Sequence, residues 1–168
     1  LVKELQSHSP TGYVTLIGHS SGGIMLRLYL ATQAFENKSY KGLDYCNYLI
    51  TLGSPHIAVK ATKLRAMVNK RFPGSYYSNQ VKYISVAGEI DLNNPNLTII
   101  AKNSAQRSYK SISGEKVSIG DGLVPSKCAL LKGSQQIILK ETSHGGFFGK
   151  DWYGSESRVE KWWNAIRT

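Results

Sequence analysis

One pentapeptide constrains this chain more than any other feature: Gly18-His19-Ser20-Ser21-Gly22. Before it runs the short apolar stretch Tyr13-Val14-Thr15-Leu16-Ile17. After it, residues 21–33 carry Ile24, Met25, Leu26, Leu28, Tyr29 and Leu30, with Arg27 the only charge. The pattern is G-x-S-x-G between a strand and a buried helix. A chain that reverses from strand to helix within a few residues has little room for side chains. Gly18 and Gly22 are therefore the positions where a side chain is expected to collide with backbone. Ser20 is expected in a strained conformation at the strand's C-terminal end, with its hydroxyl facing a crevice. The helix N-terminus beneath it favours developing negative charge. The amide of Ser21 is then placed to donate to an oxyanion. The competing glycine-rich reading, a phosphate-binding loop, fails because no G-x-x-x-x-G-K-[ST] is present.

Three further apolar segments read as strands, each bounded by turn residues. They are Tyr48-Leu49-Ile50-Thr51-Leu52, Val81-Lys82-Tyr83-Ile84-Ser85-Val86-Ala87 and Gln136-Ile137-Ile138-Leu139. Near-continuous apolar runs suit parallel strands covered on both faces. Helical patterns lie over 58–71, with Leu64, Met67 and Val68 on one side. Another lies at the C-terminal end, where Val159, Trp162, Trp163 and Ile166 recur at helical spacing and Ser155 or Ser157 is the expected cap. Residues 89–120 lack a clear period and read as an excursion from the sheet, a cap or a long loop. Strand–helix alternation implies an α/β class, a mainly parallel sheet flanked by helices, in one domain over 1–168.

Composition removes several alternatives. Cys46 and Cys128 are the only cysteines, so a disulfide scaffold is excluded. No apolar run approaches the ~20 residues of a membrane span, and no secretory signal is visible at Leu1. The net charge of +10 favours anionic partners, with a concentration at Lys60, Lys63, Arg65, Lys70 and Arg71. No nucleic-acid motif accompanies it, so nucleic acid is not an expected partner. The plain reading of the charge is a solvated basic surface, with 58–71 an ordinary surface helix; the functional alternative is peripheral contact with an anionic membrane, with 58–71 as the contact element or lid.

A serine nucleophile needs a base, and the base needs an orienting acid. Of four histidines, His8 lies in a polar stretch and His19 reads as packing inside the turn. His144, in Ser143-His144-Gly145-Gly146, follows the last strand and is the expected base. His56, in Gly53-Ser54-Pro55-His56, is the runner-up and an expected pocket wall. Asp121, flanked by Gly120 and Gly122, is the expected acid, with Asp91 after the third strand as its rival. No metal or organic cofactor is implied by these residues.

Taken together, the chain resembles the α/β-hydrolase superfamily and, within it, the lipase-like esterases. The matching pieces are Leu16 to Gly23, Thr51-Leu52-Gly53-Ser54-Pro55-His56, Gly120-Asp121-Gly122-Leu123-Val124-Pro125 and Ser143-His144. The box ending at His56 is similar to one in triacylglycerol lipases and in inositol deacylases of the GPI pathway. The segment from Trp152 to Trp162 looks like plant and cyanobacterial lipase-like hydrolases. The order Ser20, Asp121, His144 is that of α/β-hydrolases. The resemblance implies a partial α/β-hydrolase fold lacking the N-terminal strands, with the chain the C-terminal part of a longer domain. It implies catalysis by Ser20, Asp121 and His144, an oxyanion contact from Ser21 and a lipid-like ester substrate; His19 and His56 are the expected substrate contacts. The residues leave the compartment open, with a cytosol, a plastid stroma or a membrane periphery as the favoured setting. Acyl transfer by the same residues, or a catalytically silent binding domain, are the alternatives.

Overall fold

A computed structural model describes residues 1–115 and 119–167. Four strands, β1 (Val14–His19), β2 (Cys46–Leu52), β3 (Lys82–Glu89) and β4 (Gln135–Lys140), form one sheet. Their spatial order follows the chain, and all three pairings are parallel. Parallel neighbours need crossovers, and helices provide them. α2 (Ser21–Tyr29) and a short 3-10 turn (Gly42–Asp44) lead from β1 to β2. α3 (Lys63–Arg71) leads to β3, and α4 (Ile99–Ser113) with α5 (Ser126–Ala129) leads to β4. α1 (Val2–His8) precedes the sheet, and α6 (Glu156–Arg167) follows it. No helix among the described residues is long and apolar enough to cross a membrane.

The side-chain period of two divides the core between the two faces of the sheet. Leu16, Leu49 and Tyr83 pack with Ile24, Leu28, Val68 and Phe72, so α2 and α3 cover one face. Ile50, Leu52, Ile84 and Val86 pack with Leu139 and Trp162, so α6 covers the other. β2 and β3 are apolar on both faces and central, as their sequence runs imply. The outer strands depart from that expectation. Ile17 on β1 and Ile138 on β4, the two outer strands, remain about half exposed, 46% and 48%.

The helix expectations shift at their ends. α2 ends at Tyr29 rather than 33, and α3 begins only at Lys63, where the Thr62 hydroxyl accepts from the Arg65 amide. Ser155 precedes α6, but its hydroxyl accepts from the Trp152 amide behind it rather than capping the helix; Ser157 is already helical. The largest correction is α4. Residues 89–120 are not simply an excursion: they contain a fifteen-residue helix, started by the Thr98 hydroxyl and ended at Gly114 in the left-handed conformation. Its buried side is Ala101, Ala105 and Tyr109, which pack with Leu92 and Phe148 above the C-terminal edge of the sheet.

Candidate active site

Ser20 sits where β1 passes into α2, with φ 55° and ψ −129°. That conformation is costly for a residue with a Cβ, on the order of 1–3 kcal/mol. Neighbouring structure imposes it. The Ser20 amide donates to Leu52 carbonyl at 2.9 Å, and its carbonyl accepts from Gly23 at 3.2 Å. A Cβ at Gly18 would lie 2.6 Å from the Gly23 nitrogen, so that glycine is required. Gly22 does not behave as expected: a Cβ there meets nothing within 4 Å. The tight glycine on the helix side is Gly23, whose added Cβ would run into the Ser54 side chain and the Thr51 methyl. The turn thus rests on Gly18 and Gly23, and Ser21 opens α2 with its amide at the helix N-terminus.

The Gly120–Pro125 loop closes on itself through a bridge between its end residues. Asp121 is fully buried within it. Its Oδ1 accepts from the amides of Leu123 (3.0 Å) and Val124 (2.7 Å). Its Oδ2 accepts from His144 Nδ1 (2.8 Å) and from the Tyr153 hydroxyl (2.9 Å). A carboxylate withdrawn from water is tolerated only when its lone pairs are filled, and here four donors fill them. The His144 amide also donates to the Asp121 carbonyl at 2.7 Å, which locks the two loops together. With Nδ1 committed to Asp121, His144 Nε2 has no hydrogen bond among the described residues.

His19 links this pair to the serine. Its ring lies 4.6 Å from that of His144 and 6.0 Å from Trp152, while part of it stays exposed. The packing role expected for His19 is therefore incomplete: it lies against the site as well. Partial burial and the neighbouring His144 ring lower its pKa below the usual imidazole value. Ser20, the next residue, makes no side-chain hydrogen bond with any described residue, His144 included. The chain brings Ser20, His144 and Asp121 to one sheet edge, with Asp121 and His144 directly bonded.

Two expectations are corrected. His56 is buried in the core rather than placed at the surface as a base or pocket wall. It is 1% exposed, with Nε2 on the Thr51 hydroxyl (3.0 Å) and Nδ1 facing Arg27 (3.3 Å). Burial, then Arg27 and Arg65, hold its pKa well below the ordinary value, so it is a neutral core histidine. Asp91 is exposed, and its Oδ1 accepts from the Asn93 amide at 2.8 Å rather than from a histidine. His8 sits exposed at the end of α1, with Nδ1 against the Glu4 carbonyl.

No family model matches the chain, and no curated protein matches it.

Sequence reasoning missed two tyrosines that hold the acid loop. Tyr153 donates to Asp121 and accepts from the Gly88 amide at 2.6 Å. Burial beside the Asp121 charge pushes its pKa well above that of a free phenol, so it remains a donor. Tyr109 of α4 accepts from the Gly122 amide at 2.7 Å, and burial pushes its pKa up also. Neither bond has a local signature, because each tyrosine reaches the loop from a distant element. Among the described residues, no group of three or more His, Cys, Asp or Glu is placed to hold a metal. The arrangement holds the His144 ring against Asp121 at the sheet edge where Ser20 precedes a helix N-terminus, and those are the residue types that acyl transfer through a serine uses.

Proposed function

We propose that this protein is a serine hydrolase of carboxylic esters, of the α/β-hydrolase kind. The observation that carries the reading is the 2.8 Å bond between His144 Nδ1 and buried Asp121, on the sheet edge where Ser20 is held at positive φ. Ser20 Oγ attacks the ester carbonyl as His144 Nε2 takes its proton. The alkoxide of the tetrahedral intermediate faces the Ser21 amide at the start of α2. Collapse expels the alcohol, protonated by His144, and leaves an acyl-Ser20. Water deprotonated by His144 then releases the acid. Asp121 fixes the tautomer and stabilises the imidazolium throughout.

A lipid-like ester is the substrate class that fits best. Ile57, Val59, Ile99, Ile100, Phe147 and Trp152 are exposed, and all lie in segments that follow the C-terminal ends of β2, β3 and β4. Lys60, Lys63, Lys70 and Arg71 are exposed around α3, which supports contact with anionic lipid. Acyl transfer to another alcohol uses the same groups and differs only in the acceptor.

A fluorophosphonate probe tests the reading directly. The folded protein is expected to label at Ser20, and S20A to remain unlabelled. Absence of labelling in folded wild-type protein overturns the enzyme reading and favours a silent binding domain. Unlabelled protein from a preparation that reacts with the probe is then assayed on short-chain aryl esters with and without added alcohol, which separates hydrolysis from transfer.

A further inference from the structure

Ser20 makes no side-chain hydrogen bond with His144 among the described residues, so the register between them is set elsewhere. The two belong to different parts of the sheet. Ser20 follows β1, whereas Asp121, His144 and Tyr153 form one bonded unit braced on β3 through the Gly88 amide. β2 lies between β1 and β3, so those strands stand two steps of about 4.8 Å apart, roughly 10 Å. β2 runs into Gly53, which offers no side chain to that space: a Cβ there would lie 2.7 Å from Asp121 Oδ2.

His19 crosses the gap. Its ring centroid lies 4.6 Å from that of His144, 5.7 Å from Tyr153 and 6.0 Å from Trp152. It is also the last residue of β1 and the direct neighbour of Ser20, whose positive φ belongs to the same turn. One contact therefore refers the position of the base to that of the nucleophile. The charge of the ring matters as much as its place. When His144 takes the serine's proton it becomes a cation, and a second cation 4.6 Å away would repel it. Burial, then the neighbouring His144 ring, lower the His19 pKa, which keeps its ring uncharged at neutral pH.

We infer that His19 is a positioning residue, whose uncharged ring holds the His144 imidazole at the serine turn. On the ester-hydrolase reading, on which this step rests, it sets the approach of His144 Nε2 to Ser20 Oγ without touching the reacting atoms.

Kinetics on short-chain aryl esters at about pH 8, where an ordinary imidazole is neutral, compare the parent with H19A, H19Q, H19F and H19K. H19A removes the ring, and H19Q is a second ringless variant for the case in which H19A does not fold. Both are expected to lower kcat roughly ten- to hundredfold with KM within about twofold, the scale of a catalytic group misplaced by about 1 Å. H19F restores a packed, uncharged ring and is expected within about threefold of the parent. H19K places a fixed cation there and is expected to fall with the ringless variants. A raised KM at unchanged kcat makes His19 a substrate contact and overturns the inference. So do ringless variants as fast as the parent, H19F as slow as H19A, or H19K as fast as the parent.

NMR of the same proteins keeps the two readings apart. In the ringless variants the His144 Nδ1 proton held by Asp121 is expected to persist, while the amides of 143–149 shift and exchange faster. Loss of that proton places the defect in the acid–base pair and overturns the inference. A parent protein that labels with fluorophosphonate while its ringless variants keep full kcat loses the positioning role alone. A folded parent that neither labels nor turns over ester loses the hydrolase reading. The 143–149 amides then still decide whether His19 positions His144, and unchanged signals there overturn that as well.

Discussion

Tyr153 and His144 donate to the same oxygen of Asp121, Oδ2, at 2.9 and 2.8 Å. The acid is thereby held from two sides: the phenol fixes where the carboxylate points, and the imidazole reads that direction. The phenol is itself held by the Gly88 amide at the end of β3, so the acid is braced against the central sheet. Y153F removes the donor to Asp121 and leaves the buried Gly88 N–H unfilled. Stability is expected to fall by about 1–3 kcal/mol, measured from urea midpoints at constant slope.

D121N tests the acid itself. The substitution keeps the shape of the side chain but turns one acceptor into a donor, so His144 Nδ1 no longer has a carboxylate to hold its proton. Ester turnover is expected to fall roughly ten-thousandfold, the scale seen when a triad acid is made an amide. Thermal unfolding of the same variant is the check that the loss lies in the chemistry.

The glycines of the turn give an outcome opposite to the one the motif suggests. Gly22 lies inside α2 with nothing within 4 Å of an added Cβ. G22A is therefore expected to stabilise the protein by about 0.4–1 kcal/mol, because alanine lowers the entropy of the unfolded chain and suits a helix. G23A and G18A are expected to destabilise it, since each new methyl enters space held by Ser54 and Thr51 or by helix backbone. Differential scanning calorimetry of the three variants gives the order of Tm.

What was legible in the chain was whatever the core states in large aliphatic side chains. β2 and β3 are apolar on both faces, and α2 is apolar around much of its circumference, so their sequence runs could be read directly. The Asp121 loop and the His144 loop were legible through flanking small residues. α4 was not, because its buried stripe is Ala101, Ala105 and Tyr109 rather than a run of leucines. Alanine buries little area, so that helix carries a period without carrying hydrophobic weight. Tyr153 and His56 escaped for a different reason. Their roles are set by residues brought near only in the fold: Asp121 and Gly88 for the tyrosine, Thr51 and Arg27 for the histidine.

His56 also gives the protein a pH response separate from any chemistry at Ser20. Its ring is buried beside Arg27, a guanidinium with no carboxylate partner among the described residues, whose own pKa burial pushes down to about 10. Protonating His56 would place a second positive charge there, so its folded pKa lies well below 6.5. In the unfolded chain the ring titrates normally, near 6.5. Between those two values the unfolded state holds the extra proton. Stability is therefore full above about pH 6.5 and falls as pH drops below it, by up to about 1.4 kcal/mol per pH unit. His19, lowered in the same direction, adds a loss of the same sign. H56Q removes the titrating ring while keeping a side-chain amide that can bond to Thr51. It is expected to start less stable at pH 7.5 and to lose less between pH 6.5 and 5 than the parent does. Urea unfolding at three pH values measures both slopes, and parallel slopes would show that the neutral, buried ring is not the source.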